Sequence, residues 1–131
     1  MMLLDTSGLL AILDRREPQH ELACLLYRQA RLRITHGFVL AELVALGLVR
    51  GFPSSSTIDF LRDLIANPDI TVIWPAQDAT AQALSYLTGR PEMGYSLCDV
   101  VSFLAMNQFG VSEALTTDAH FERAGFRRLL A

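Results

Sequence analysis

The first thirteen residues, MMLLDTSGLLAIL (Met1–Leu13), contain the pattern that decides the fold. Met1–Leu4 is a short apolar run, which is typical of a strand that is buried on both faces. Asp5 follows at once, and Thr6 or Ser7 can cap a helix that continues to Leu13. A buried strand that leads directly into a helix is the first part of a β-α-β unit and therefore indicates a parallel sheet.

The same alternation of strands and helices continues to the end of the chain. The other predicted strands are Leu32–Thr35, Ile70–Trp74, Val111–Thr116 and Phe126–Leu130, and the other predicted helices are Pro18–Arg31, Gly37–Arg50, Ser56–Asn67, Pro75–Thr88, Ser96–Phe109 and Asp118–Ala124. This order predicts an α/β fold of three layers, in which helices cover both faces of a central, mostly parallel sheet of about four to five strands. Because no linker or repeat interrupts the pattern, residues 1–131 are predicted to form a single domain.

The charged residues exclude several functions. All eleven basic side chains are arginine, and the formal net charge is −3. Without lysine the chain has neither the phosphate-binding lysine of a P-loop nor the amine of a Schiff-base enzyme. The negative charge also argues against a strongly basic, non-selective nucleic-acid binder. Binding of RNA would require bridging cations or a local arginine patch, for which the candidates by loop position are Arg15, Arg16, Arg50 and Arg90.

The cysteines and histidines lack the spacing of a zinc site. The histidines are His20, His36 and His120, and the two distant cysteines, Cys24 and Cys98, are predicted to be free thiols in reducing surroundings. No apolar run reaches the roughly 18 residues that a membrane helix needs, and the apolar start is too short for a signal peptide. We therefore expect a cytoplasmic protein without membrane contact.

Two aspartates directly follow predicted strands. Asp5 ends the first strand, and Asp118 ends the fourth strand in the sequence Leu115–Asp118. Ligands of parallel α/β sheets bind beyond the carboxyl ends of the strands, so both positions favour a functional role. The alternative is that each carboxylate caps the helix that follows it, because aspartate is a favoured N-cap residue.

Glu42 is the only charged side chain between Gly37 and Val49, in a helix that is apolar on nearly all sides. Such a helix is predicted to be buried almost all round. A lone buried carboxylate has to be paired, protonated or bound to a metal ion. The alternative to a functional Glu42 is an ion pair with Arg50 or Arg16.

Asp99 occurs three residues after Ser96, which is the spacing of a capping box. Ser56 and Asp59 have the same spacing, so the pattern alone does not separate a functional aspartate from one that only caps a helix.

Carboxylate oxygens that converge without histidine or cysteine ligands suit a hard cation such as Mg²⁺ or Mn²⁺. The four candidate carboxylates are Asp5, Glu42, Asp99 and Asp118. Repulsion among them predicts that replacing Asp5 or Asp99 with asparagine leaves the metal-free protein at least as stable as the parent.

Four motifs in this order resemble those of the PIN domain, and within that family they are most similar to the toxin nucleases of VapC type. They are Leu4–Ser7, Glu42 in its apolar helix, Ser96 with Asp99, and Thr116–Phe121 followed by Gly125. The resemblance spans the entire chain. It implies that Asp5, Glu42, Asp99 and Asp118 bind Mg²⁺ or Mn²⁺ and catalyse RNA hydrolysis. It also implies supporting hydroxyl groups from Thr6 and from either Thr116 or Thr117.

The function implied by the resemblance is that of a metal-dependent endoribonuclease, the toxin of a type II toxin–antitoxin system. The implied partners are an RNA substrate, a second copy of the chain and a cognate VapB-like antitoxin that blocks the site. The apolar faces of the helices at 18–31 and 37–50 also favour self-association. The alternatives are a nuclease of the same fold in RNA processing, without an antitoxin, and a catalytically silent module that binds nucleic acid.

Overall fold

The computed structural model describes all residues from Met1 to Ala131. The strands are β1 Met2–Leu4, β2 Arg33–His36, β3 Ile70–Ile73, β4 Glu113–Leu115 and β5 Arg127–Arg128. The helices are α1 Thr6–Leu13, α2 His20–Gln29, α3 Gly37–Val49, α4 Ser54–Ala66, α5 Gln77–Thr88, α6 Leu97–Phe109 and α7 His120–Arg123, and a short 3₁₀ helix spans Pro91–Met93. None of the helices combines the length and the hydropathy needed to cross a membrane.

The five strands form one sheet in the order β3-β2-β1-β4-β5, and every neighbouring pair is parallel. In the centre, Leu3 of β1 lies opposite Ile34 of β2 on one side and Ala114 of β4 on the other. The predicted α/β fold with a central parallel sheet is therefore confirmed. Because all strands run in the same direction, their carboxyl ends share one edge of the sheet.

Apolar side chains fill both sides of the sheet, as three layers require. Met2 and Leu4 belong to a cluster of 15 buried residues that lies mainly between the sheet and helices α1 to α4. Leu3 points to the opposite face, where a cluster of 12 buried residues includes side chains from α5, α6 and α7. This alternation along β1 is the two-residue period of a strand that is covered on both faces.

Helix α1 approaches β4 so closely that only glycine fits at the contact. A Cβ atom on Gly8 would lie 2.0 Å from the carbonyl oxygen of Leu115. The same oxygen accepts a hydrogen bond of 3.2 Å from the N–H of Asp5. The close packing therefore fixes Asp5 beside the carboxyl end of β4.

The predicted capping box of Ser56 and Asp59 is wrong. Helix α4 begins at Ser54, and its N-cap position is occupied by Pro53 without a side-chain hydrogen bond. The backbone of Pro53 is extended (φ −58°, ψ 129°) and leads the chain into the helix immediately. Ser56 consequently lies inside the first turn, where its hydroxyl does not cap the helix.

Two helices predicted to begin at a proline begin two residues later, as does α7, which begins at His120 rather than Asp118. Helix α2 begins at His20 rather than Pro18, and α5 begins at Gln77 rather than Pro75. In both cases the proline lies two residues before the helix and not in its first turn. The fixed φ of proline suits either position, so the residue marks the boundary only approximately.

Candidate active site

The four candidate carboxylates meet in one cleft at the carboxyl edge of the sheet. Asp5 follows β1 and Asp118 follows β4, which are neighbouring strands, while α6 contributes Asp99 and α3 contributes Glu42. The cleft has a volume of about 200 Å³ and is lined by Asp5, Thr6, Ser7, Leu10, Glu17, Glu42, Leu46, Arg50, Asp99, Thr117 and Asp118. The structure thus brings together all four acids, and two of them, Asp5 and Asp118, lie at the strand ends where ligands of parallel sheets bind.

Hydroxyl groups hold Asp5 in place. The hydroxyl of Thr116 donates a hydrogen bond of 2.7 Å to Oδ2 of Asp5, and Oγ of Ser7 lies 3.4 Å from the same oxygen. The two hydroxyl oxygens are 3.0 Å apart. The N–H groups of Thr117 and Asp118 donate to Ser7 and Thr116, respectively, at 3.0 Å each. This network ties the carboxylate after β1 to the loop after β4.

The supporting hydroxyl implied by the resemblance therefore comes from Thr116 and not from Thr117. Thr117 contributes only its backbone N–H. The hydroxyl of Thr6 is buried without a hydrogen-bond partner. Ser7 was not expected in this role, and only the sequence-distant contact with Thr116 reveals it.

Asp5 is a buried carboxylate without a cationic partner. Its residue is only 5% exposed, and none of the ion pairs in the structure includes it. Burial raises the pKa of Asp5 from 3.8 to about 7, although hydrogen bonds from Thr116 and from the backbone of Thr6 oppose the shift. The negative charges of Asp99 and Glu42 raise this pKa further. Desolvation therefore outweighs the hydrogen bonds.

The capping alternative for Asp5 is not supported. The backbone of Asp5 occupies the N-cap position of α1, but its side chain makes no capping hydrogen bond. The carboxylate is instead bound by the hydroxyl groups of Thr116 and Ser7.

Asp99 combines the two roles that the sequence presented as alternatives. Its N–H donates to the hydroxyl oxygen of Ser96, and its Oδ2 accepts from the N–H of Ser96, both at 3.0 Å. These reciprocal bonds are a capping box at the start of α6. The same carboxylate lines the acidic cleft, so the helix cap positions it there.

His120 connects Asp99 with Asp118. Its Nδ1 lies 3.0 Å from Oδ2 of Asp99 and 3.4 Å from Oδ2 of Asp118. The N–H of His120 also donates to Oδ1 of Asp118 at 2.9 Å, and its ring packs edge-on against Tyr95. Ligand atoms of the three residues all lie within 4.8 Å of one another, as a metal site requires. The sequence contains one signal for this role of His120: it occurs two residues after Asp118, in the segment that follows a predicted strand.

The predicted burial of Glu42 is wrong. Glu42 is exposed, and the helix that carries it is not covered all round, because Leu48 and Val49 are 59% and 84% exposed. Neither predicted arginine partner binds Glu42, since Arg50 pairs with Glu17 and Arg16 pairs with Asp14. Glu42 instead contributes its carboxylate to the wall of the cleft.

Cys98 lies beneath the carboxylates. It is a buried free thiol, whereas the free thiol of Cys24 is only partly buried. Burial raises the pKa of the Cys98 thiol, and the negative charges of Glu42, Asp5 and Asp99 raise it further.

The other two histidines make no hydrogen bond to the candidate carboxylates. Nδ1 of His20 hydrogen-bonds the carbonyl oxygen of Ala11 at 2.7 Å. Nε2 of His36 lies 2.8 Å from the hydroxyl oxygen of Ser102, and burial lowers the pKa of His36 to about 4. Both contacts connect elements of the core.

The donor set fits a hard divalent cation. The cleft presents carboxylate oxygens from four elements, and the buried Asp5 has no positive group beside it. A cation would supply the missing counter-charge and would favour the ionised form of Asp5. Oxygen donors of this type are those that Mg²⁺ and Mn²⁺ prefer.

The parallel sheet and its acidic edge define a class of α/β domain suited to metal-assisted phosphoryl transfer. The sequence matches the family model described as PIN domain over residues 2–127, and the chain belongs to that family. The fold is similar to the crystal structure of VapC20 from Mycobacterium tuberculosis, described as a sarcin–ricin loop cleaving toxin. The TM-score is 0.87, the sequence identity is 25%, and the match covers 96% of each chain. A comparison with curated protein sequences found no significant match.

Proposed function

We propose that the protein is a metal-dependent endoribonuclease of VapC type, which hydrolyses RNA phosphodiester bonds as the toxin of a type II toxin–antitoxin system. The observation that carries the proposal is the convergence of Asp5, Glu42, Asp99 and Asp118 in one cleft. The PIN family membership and the similarity to a toxin that cleaves the sarcin–ricin loop support RNA as the substrate.

In this proposal Asp5, Asp99 and Asp118 would hold Mg²⁺ or Mn²⁺, and Glu42 would bind the ion directly or orient a water molecule. A bound ion activates water and stabilises the charge that develops on the phosphate. Hydrogen bonds from Thr116 and Ser7 to Oδ2 fix the orientation of the Asp5 carboxylate. His120 holds Asp99 and Asp118 together through Nδ1. These contacts lower the cost of assembling several negative charges in one place.

The proposed protein partner is a VapB-like antitoxin whose basic side chain would enter the acidic cleft. Buried carboxylates such as Asp5 are stabilised by a paired positive charge, and no cationic side chain of the protein pairs with Asp5. A toxin that cleaves RNA and is inhibited by an antitoxin would be active in the cytoplasm.

Cleavage of RNA by the purified protein is expected to require Mg²⁺ or Mn²⁺ and to stop when a chelator removes the ion. Hydrolysis by water is expected to leave 5′-phosphate ends, which sequencing of the cleaved RNA detects. The Asp59→Asn variant is a suitable control, because Asp59 is an exposed acid on α4 outside the cleft lining. Full activity in chelator contradicts metal dependence, and 2′,3′-cyclic phosphate ends indicate attack by the ribose hydroxyl instead.

The protein is proposed to form a homodimer through apolar side chains on one side of the molecule. Leu48 and Val49 at the end of α3 are among the most exposed apolar residues of the structure. Sedimentation at micromolar concentration is expected to show a dimer, which Val49→Asp weakens. Leu84→Asp is the control, because Leu84 is also exposed (51%) but lies on α5 at the opposite face of the sheet, and it is expected to leave the dimer intact. A parent protein that sediments as a monomer contradicts the proposal.

A further inference from the structure

One basic side chain lies in the otherwise acidic cleft. Arg50 follows α3 directly, and Glu42, Leu46 and Arg50 are spaced four residues apart along one side of that segment. This spacing places the three side chains in a row, with about 12 Å along the helix axis between Glu42 and Arg50. Arg50 therefore lies at the end of this row away from Glu42.

Neighbouring acids hold Arg50 without using most of its donors. Nη1 of Arg50 donates to Oε1 of Glu17 at 2.7 Å and lies 4.0 Å from Oδ2 of Asp14. Asp14 is already bound by Nε and Nη2 of Arg16, at 3.0 and 3.1 Å, so the main partner of Arg50 is Glu17. The side chain of Arg50 is 42% exposed, and one of its guanidinium nitrogens makes the contact with Glu17. The guanidinium group can therefore still bind a second acceptor.

The electrostatics of the cleft require such a group if RNA is to enter. Two like charges about 5 Å apart repel by roughly 3 kcal/mol at an effective dielectric of about 20, and several carboxylates line the cleft. A cation there can neutralise only the phosphate beside it, whereas the neighbouring phosphates of the strand also need positive charge. A guanidinium group binds phosphate oxygens in a bidentate manner.

Of the other arginines singled out by loop position, Arg15 is exposed and outside the cleft lining, and Arg16 and Arg90 are engaged elsewhere. Arg16 binds Asp14 and lies over the ring of Phe52. Arg90 stacks on Tyr86, with its guanidinium carbon 3.7 Å from the ring centroid. Arg50 is the one among them that lines the cleft.

We propose that Arg50 binds a phosphate of the RNA strand next to the scissile one, and that this phosphate displaces Glu17 from the guanidinium group. This inference rests on the proposed ribonuclease function. Glu17 holds Arg50 in position before RNA binds, and the exchange of one acidic acceptor for another leaves the arginine paired in both states. The row from Glu42 to Arg50 then defines the direction of the strand through the cleft.

Binding of a fluorescein-labelled single-stranded oligouridylate, followed by anisotropy at several salt concentrations, tests the proposal. Arg50→Gln is expected to weaken binding about tenfold and to reduce the slope of log K against log salt by about 0.7. Glu17→Gln is expected to strengthen binding in the parent but not in the Arg50→Gln background, because the gain depends on a released Arg50. Arg50→Lys is expected to restore the salt slope but only part of the affinity, since lysine lacks the planar fork.

Arg127→Gln is the matched control. Arg127 forms an equivalent ion pair with Glu113 at 2.7 Å, at the start of β4 and thus at the opposite edge of the sheet. Its removal changes the net charge by the same amount and is expected to alter binding less than twofold. Equal losses in Arg50→Gln and Arg127→Gln overturn the proposal, as does additivity of the Glu17 and Arg50 effects.

Cleavage assays separate this inference from the proposed function. If the parent cleaves RNA and Arg50→Gln does so with an unchanged KM, the ribonuclease stands and the role of Arg50 is refuted. If the parent binds the oligouridylate through Arg50 but cleaves no RNA with Mn²⁺, the phosphate contact stands and the ribonuclease function fails. Thermal melts of Arg50→Gln ensure that a loss of binding does not come from unfolding.

Discussion

The Asp5→Asn variant is expected to be more stable than the parent in chelator, by about 4 kcal/mol at pH 8. Burial raises the pKa of Asp5 from 3.8 to about 7 in the folded protein. A shift of about three pKa units corresponds to roughly 4 kcal/mol of cost for ionising the folded protein. Asparagine retains an acceptor for the hydroxyl of Thr116 but carries no charge, so it avoids that cost.

The gain in stability of Asp5→Asn over the parent is expected to depend on pH. At or below about pH 4 the folded protein carries a protonated Asp5, and the penalty on the parent is absent. As the pH rises from about 4 to 7, the unfolded chain releases a proton that the folded protein still binds, so the stability of the parent falls. Above about pH 7 the loss is complete. Urea unfolding of both proteins across this range measures the difference directly.

Comparison with Asp99→Asn shows whether the stability gain of Asp5→Asn comes from the burial of Asp5 or from repulsion among the acids. Repulsion alone predicts that Asp99→Asn also stabilises the metal-free protein. The structure predicts the opposite sign, because the Asp99 carboxylate lies in the first turn of α6 and contacts His120, and loss of a negative charge at a helix N-terminus costs about 0.3–1 kcal/mol. Asp59→Asn is expected to change little, since Asp59 is exposed. Equal stability of parent and Asp5→Asn at pH 8 contradicts the account.

Removal of the His120 side chain is expected to reduce the rate of RNA cleavage by about 10–100-fold. Nδ1 of His120 bridges Oδ2 of Asp99 and Oδ2 of Asp118 at 3.0 and 3.4 Å. Without this bridge the two carboxylates repel each other, and the affinity for the metal ion falls. His120→Asn places an amide nitrogen near the position of Nδ1 and is expected to retain more activity than His120→Gln, whose nitrogen lies farther from the backbone.

Cleavage rates measured over a range of Mn²⁺ concentrations test this role. The expected result is that His120→Ala needs more Mn²⁺ for half-maximal rate, with His120→Asn between it and the parent. His20→Ala serves as the control, because His20 contacts the carbonyl of Ala11 outside the cleft. A parental Mn²⁺ dependence in His120→Ala shows that the bridge has no part in metal binding.

The sequence predicted the fold well because the determining signals are local. Short apolar runs, helical periodicity and the alternation of the two are all read within windows of a few residues. The confirmed parallel sheet then places Asp5 and Asp118 at one edge by topology alone. The errors concern helix starts, such as that of α4 at Ser54, where the conformation of one proline decides the boundary.

The site was harder to predict because its details depend on contacts between distant segments. The burial of Glu42 was inferred from the apolar residues around it, but Leu48 and Val49 on the same helix have no covering element. Ser7 and His120 acquire their roles only when β1, β4 and α6 come together. For Asp99, local patterns presented helix capping and a functional role as alternatives. In the structure, the same carboxylate caps α6 and lines the cleft.

Isothermal titration of Mn²⁺ into the purified, metal-free protein tests the central claim most directly, because it asks whether the acidic cleft holds the ion that the proposed hydrolysis requires. Saturable binding is expected for the parent and for Asp59→Asn, together with release of protons from the protein near pH 7, where Asp5 is partly protonated. Binding is expected to be lost in Asp118→Asn and in Asp5→Asn. Mn²⁺ binding of parental strength in both cleft variants, or none in the parent, would contradict the account.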